Sequence, residues 1–298
     1  MSLLVIGSVA LDTIETPFAK GKNLVGGSAI YASLAGSFFT RCAILACVGK
    51  DFPDEFLRYL ARKNIDTSLL QVCEGKTFSW DGYYDTNLNV AHTRKTELNV
   101  FERFKPVLDS ARRSFDAVLL ANIDPSLQKL VIRQIATTKI VAADTMNYWI
   151  ENRLSQLRDL IRKVDILFVN EHEAKMLGGH HNIVKATRDI LRIGVKTLVV
   201  KRGEYGSVLI HDKKVSMLPA FLLETPVDPT GAGDSFAGAF LGYLDTVQKP
   251  TFAALKQALF YATVVSSFTV ARLGARGLTE LNKNAIRNRL KKLKTMVS

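Results

Sequence analysis

The stretch 228-DPTGAGDSFAGAFLGYL-244 sets two aspartates, a proline and two glycines in seven residues, then runs into a segment rich in Gly, Ala, Phe and Leu. Asp228-Pro229 ends an extended segment. Gly231 and Gly233 let the backbone turn so that successive N–H groups point one way. A helix is expected from about Asp234, with its unpaired N–H groups and dipole aimed at the same point. Such a point suits a phosphate, or charge developing on one. A carboxylate there, Asp234, can accept a proton from an attacking hydroxyl. The plain structural alternative is an Asp-capped helix after a tight turn, with no chemistry at Asp234.

Working outward, short apolar runs alternate with helical segments. LLVIG (3–7), CAILACVG (42–49), DAVLLAN (116–122), KIVAAD (139–144), DILFVN (165–170) and KTLVVK (196–201) read as strands apolar on both faces, as in a covered parallel sheet. Amphipathic segments at 54–63, 127–136 and 153–163 lie between them. The alternation predicts a layered α/β fold with right-handed crossovers and ligands beyond the carboxyl ends of the strands. Asp144, Asn170 and Lys201 stand at such ends. Residues 77–101 break the pattern: Phe78, Trp80, Gly82 and Tyr84 alternate onto one face, which predicts a hairpin or small antiparallel sheet. With a loop around residues 12–25 this reads as a lid.

The 298 residues are 47% hydrophobic and 23% charged, suited to a single globular domain over 1–298. No apolar run is long enough for a membrane helix, and the N-terminus has no signal-peptide pattern. Cys42, Cys47 and Cys73 show no CxxC spacing and suggest free thiols in a cytoplasmic protein. Net charge is +12, with six cations between Lys283 and Lys294. Ile286, Leu290 and Leu293 recur there at helical spacing. The reading is a surface helix with one packed face, with neither nucleic acid nor membrane as partner. No GxGxxG follows the first strand, so a dinucleotide site is not expected. Gly75-Lys76-Thr77 is not a P-loop, because Leu70 stands where its first glycine belongs.

Residues 228–241 match, position by position, the C-terminal signature of the ribokinase-like carbohydrate kinases, the PfkB family. Further segments resemble that family in order: 26-GGSAIYASLAG-36, 47-CVGKDFPDEFLRYLARKNIDTSLL-70, 170-NEHE-173, 201-KRGEYG-206 and 269-TVARLGARG-277. The resemblance implies a three-layer α/β/α sandwich with a mostly parallel central sheet and a small β lid. It implies an ATP-dependent kinase with Asp234 as catalytic base and Gly231, Ala232 and Gly233 as the anion hole. Asp12, with Gly26 and Gly27, would bind the acceptor. Lys201, Gly203 and Gly206 would lie near the nucleotide. Asn170 and Glu173 would organise Mg²⁺ through water, in keeping with the ion's reluctance to dehydrate. Asp228 and Thr230, with carbonyls near Gly274 and Ala275, would hold a K⁺-like ion.

Two positions depart from the family pattern. Tyr31 replaces a polar Asn after the glycine pair, and Ala10 replaces a polar acceptor-side residue. Both changes remove sugar-type hydrogen-bonding groups. With Phe78, Trp80, Tyr83 and Tyr84 in the lid, Tyr31 suggests a ring that stacks on a nucleobase; the alternative, favoured for any single one of these rings, is lid core or dimer contact. The expected acceptor is a ribonucleoside phosphorylated on its 5′ hydroxyl. The alternatives are a free sugar, a sugar phosphate clamped by Arg94 and Lys95, and a non-catalytic sensor. A homodimer through the lid is left open.

Overall fold

A computed structural model describes residues 2–297. Fourteen strands form in chain order: β1 (Leu3–Ile6), β2 (Ala10–Glu15), β3 (Lys20–Gly26), β4 (Cys42–Gly49), β5 (Ile65–Asp66), β6 (Leu70–Cys73), β7 (Ser79–Tyr84), β8 (Ala91–Glu97), β9 (Ala117–Leu120), β10 (Ile140–Asp144), β11 (Ile166–Asn170), β12 (Thr197–Lys201), β13 (Ser207–His211) and β14 (Lys214–Leu218). The main sheet runs β14-β13-β12-β11-β10-β9-β1-β4-β5, with β6 also paired to β4. It is parallel from β12 to β5, and β13 and β14 add an antiparallel edge.

The layers follow from alternation along each strand. In β1, Leu3 and Val5 enter one core and Leu4 and Ile6 the other. The first core packs against helices Ser28–Gly36, Ala232–Asp245, Phe252–Val270 and Lys283–Met296. The second packs against helices Pro125–Gln134, Leu154–Ile161, Glu171–Gly178 and Ile183–Ile193. This is the three-layer α/β/α sandwich with a mostly parallel sheet. Ile286, Leu290 and Leu293 face inward on the basic C-terminal helix and its cations are exposed, except Arg289, which is half-buried over the Phe268 ring and donates to the Ser267 hydroxyl. No helix among the described residues is long and apolar enough to cross a membrane.

The lid is a separate four-stranded sheet, β3-β2-β7-β8. The loop expected around 12–25 is instead the β2–β3 hairpin, turned at Thr16–Ala19 by the Thr16 side chain. β2 pairs with β7 in parallel, so the lid sheet is mixed. The alternation expected in β7 is seen: the Trp80 ring lies over Gly82, and Trp80 meets Tyr84 edge-on at 6.4 Å.

The small residues of the opening stretch pack against a neighbouring helix. They approach helix Ser28–Gly36 more closely than any strand. A Cβ on Gly238 would overlap the Ala32 carbonyl oxygen, and one on Gly242 would come within 2.9 Å of Gly36 Cα. Backbone thus lies on backbone. A Gly238→Val substitution should destabilise the fold by about 1–3 kcal/mol through overpacking. Thermal unfolding followed by circular dichroism checks this; an unchanged Tm would contradict the packing described.

Candidate active site

The parallel strands β11 and β12 end level with one another, with Asn170 opposite Lys201, while β10 ends two residues earlier, with Asp144 opposite Phe168. Their polar ends and the turn before helix Ala232–Asp245 form the floor of a cleft roofed by the lid. Gly231 caps this helix in the left-handed region, at φ 73°. Asp228 shapes the turn: its Oδ1 accepts the Thr230 N–H and its Oδ2 the Gly274 N–H, both at 2.8 Å. The N–H groups of Gly231, Gly233 and Asp234 have no acceptor among the described residues. The Ala232 N–H differs from expectation, because it closes the turn onto the Pro229 carbonyl at 3.0 Å. The expected anion hole would therefore draw its free donors from Gly231, Gly233 and Asp234.

Lys201 borders this hole. Its Nζ lies 3.0 Å from where a Cβ on Gly233 would stand. The ammonium is held at 2.6 Å by Asp144 Oδ2, which is 5% exposed. Burial works against its charge, yet Asp144 and Glu173 hold its pKa above the ordinary lysine value. Sequence reading put Asp144 at a strand end but gave no sign of this pairing, since the partners lie 57 positions apart.

Asn170 and Glu173 are brought together by a capping box. The Asn170 N–H and Nδ2 donate to Glu173 at 2.7 Å, and the Glu173 N–H donates to Asn170 Oδ1 at 2.8 Å. Glu173 is buried, and its pKa is pushed up to about 7 by that burial, opposed by Lys201 and raised further by Asp144. Gly203 and Gly206 both adopt positive φ, at 57° and 90°. Asn89, at the tip of the β7–β8 hairpin, reaches Gly203. The lid therefore spans the whole cleft.

On the acceptor side, Asp12 lies on β2 and is buried, with the Trp80 backbone N–H directed at its carboxylate. Gly26 leaves room for it: a Cβ there would overlap Asp12 Oδ2. Gly27, at φ 91°, passes so close to Ser8 that a Cβ would leave no space. Tyr84 descends from the lid to Thr230, hydroxyl to hydroxyl at 3.2 Å. This contact escaped sequence reading, which treated Tyr84 only as a ring.

Tyr31 corrects the stacking expectation. Its ring packs on Gly231, where a Cβ would overlap it, and it is 1% exposed. No ring face is open to a base. Phe78 packs on Phe101 at 5.7 Å, and Tyr83 faces outward between His92 and Arg94. Trp80 and Tyr84 are the lid rings near Asp12 and the anion turn. Arg94 pairs with Glu15 at 2.9 Å and Lys95 with Glu97 at 2.9 Å, so both lid cations are already neutralised.

Fold and site together define an α/β phosphotransferase of ribokinase-like architecture. The pfkB family carbohydrate kinase profile matches residues 3–281. The chain is 32% identical over 259 residues to a cytidine kinase of Thermococcus kodakarensis, covering 82% of this chain and 88% of the relative. It is 28% identical to a nucleoside kinase of Methanothermobacter thermautotrophicus, covering 90% and 89%. The nucleoside kinase structure of Methanocaldococcus jannaschii superposes with a TM-score of 0.79 at 23% identity over 98% of both chains. The ribokinase of Thermotoga maritima gives 0.78 at 22% identity, over 98% of this chain and 99% of that one. The chain belongs to the pfkB family of carbohydrate kinases, whose members act on sugars or nucleosides with ATP and a divalent metal.

The carboxyls of the cleft carry a stability signature. Asp12 is pushed up to about 7 from 3.8 by burial, against the Trp80 N–H, with the charges of Asp228 and Asp234 adding. Asp234 is likewise raised to about 7 by burial and by Asp144, against Lys201. A raised folded-state pKa means that the folded chain binds the extra proton between about 4 and about 7. The stabilising contribution is complete below the ordinary carboxylate range and is lost as pH rises through about 7. Asp12→Asn should therefore raise Tm at about pH 8 and leave it nearly unchanged at about pH 4. Equal shifts at both pH values would refute the assignment.

Proposed function

We propose that this chain transfers the γ-phosphoryl group of ATP to the 5′ primary hydroxyl of a ribonucleoside. The observation that carries this is Asp234, set at a helix N-terminus among free N–H groups, with the Asp12 side of the cleft on one hand and Lys201 on the other. The nucleoside is favoured over a sugar phosphate because Arg94 and Lys95 are each paired within the lid, while Trp80, whose backbone N–H faces Asp12, and Tyr84 place two aromatic rings on the lid strand that pairs with β2. The two relatives named as cytidine and nucleoside kinases support the same choice.

In this reading Asp12 grips acceptor hydroxyls, and the 5′ oxygen lies between Asp234 and the γ-phosphorus. Asp234 accepts the hydroxyl proton as the oxygen–phosphorus bond forms and the bond to the departing ADP breaks. The free N–H groups of Gly231, Gly233 and Asp234 take up charge on the transferring group, and Lys201 faces the same phosphates. Among the described residues no three His, Cys, Asp or Glu side chains could hold a metal by themselves. That fits Mg²⁺ carried mainly by phosphates and water, with Asn170 and Glu173 as hard oxygen donors beside it. Bound there, Mg²⁺ would neutralise phosphate charge. K⁺ would take oxygens of Asp228 and the 274–275 turn. Three free cysteines, two of them buried, suit the reducing cytoplasm.

ATP consumption over nucleosides, pentoses, hexoses and sugar phosphates tests the reading. Turnover should concentrate on ribonucleosides, and Asp234→Asn should lower kcat by about 10²–10⁴ while ATP still binds. Turnover on free hexoses alone would sink the nucleoside reading. Trp80→Leu should raise KM for nucleosides by about ten-fold and leave KM for ATP unchanged.

A further inference from the structure

Two polar atoms in the cleft are sealed from solvent and have no hydrogen-bond partner: Asp12 Oδ1 and the Tyr31 hydroxyl. Their side chains border the same glycine. A Cβ on Gly26 would overlap Asp12 Oδ2 and lie 3.5 Å from Tyr31 Cε2. The charge of Asp12 acts on the Tyr31 hydroxyl, yet no hydrogen bond joins them. Their chemistry is complementary. A carboxylate oxygen accepts, and a phenol buried among carboxylates is held protonated and donates. Burial, then the charges of Asp228 and Asp12, the Tyr84 hydroxyl and the charge of Asp234, keep the Tyr31 proton in place well above the ordinary tyrosine range. Leaving two such groups unsatisfied destabilises the ligand-free chain, so a native site for a third polar group is indicated.

We propose that one ring hydroxyl of the acceptor bridges these two atoms, donating to Asp12 Oδ1 and accepting from the Tyr31 hydroxyl, so that Tyr31 selects ribo- over deoxyribo-acceptors. The inference rests on the nucleoside reading and names the part of the acceptor that the chain inspects. A single hydroxyl is both donor and acceptor, which matches the pair; a deoxy carbon is neither and leaves both groups unpaired. A site built to hydrogen-bond a hydroxyl discriminates strongly against the analogue that lacks it. The aromatic body of Tyr31 is meanwhile fixed by Gly231, so its hydroxyl is held by packing before the acceptor arrives.

Tyr31→Phe removes the hydroxyl and keeps the ring against Gly231. The acceptors are cytidine and adenosine with their 2′-deoxy and 3′-deoxy counterparts, compared by kcat/KM. Tyr31→Phe should lower kcat/KM for the ribonucleoside about ten-fold and leave one of the two deoxy counterparts unaffected, so that the ribo-to-deoxy ratio collapses by the same factor. The ligand-free variant should melt above the wild type, because an unsatisfied buried hydroxyl is gone. A proportional loss on all acceptors overturns the inference and returns Tyr31 to packing. So does an unchanged ratio with an unchanged or lower Tm, which would mean that a buried water satisfies the hydroxyl. A wild-type chain that turns over D-ribose but no nucleoside removes the nucleoside reading while leaving the pair testable on 2-deoxy-D-ribose, where the same collapse of the ratio is expected. A chain inert on every acceptor overturns both.

Discussion

The contact on which the site depends is the backbone-to-backbone approach of helices Ser28–Gly36 and Ala232–Asp245. The first helix leaves the glycine pair beside Asp12 and carries Tyr31; the second begins at the anion turn and carries Asp234. Gly238 and Gly242 meet Ala32 and Gly36 with no side chain between them. The spacing of acceptor and phosphate sides is then set by van der Waals contact of main chains, which cannot drift with rotamers. Tyr31 completes the arrangement as a wedge between Gly231 and Gly26.

Around this frame the cleft gathers more negative charge than positive. Asp144, Glu173 and Asp234 all act on the single ammonium of Lys201. Asp144 has the direct bond, so Asp234 is left without an ion-pair partner among the described residues. Burial raises Asp12, Glu173 and Asp234 together, which is the mark of a site shaped for ligands that the empty fold does not itself supply.

Much of this was legible in the sequence. The six strands apolar on both faces became the parallel sheet, because such runs leave few alternatives once helical segments separate them. The β13–β14 hairpin was not found: its turn residues Asp212 and Lys213 take positive φ without the Asn-Gly or Asp-Gly signature of such turns. Helix Pro125–Gln134 begins two residues before its apolar period suggested, because Asp124 caps it and Pro125 opens it. Helix Phe252–Val270 is apolar nearly all round and shows little periodicity to read. In the site, residue types and order pointed to the anion turn and to Asp12. Side-chain direction did not follow from order: Tyr31 turned its ring under the turn, and Lys201 found Asp144.

Asp12 sits on β2, a lid strand, and not on the helix that carries Asp234. In the proposed reaction, the group that would recognise the acceptor is thus built into the sheet that would shut out solvent. An acceptor held by Asp12 would pull on the strand that pairs with β7, whose far end meets Thr230 through the Tyr84 hydroxyl. Water cannot grip that strand in the way a sugar can. On the proposed function, recognition of the acceptor and closure over ATP would be coupled through the continuity of one small sheet.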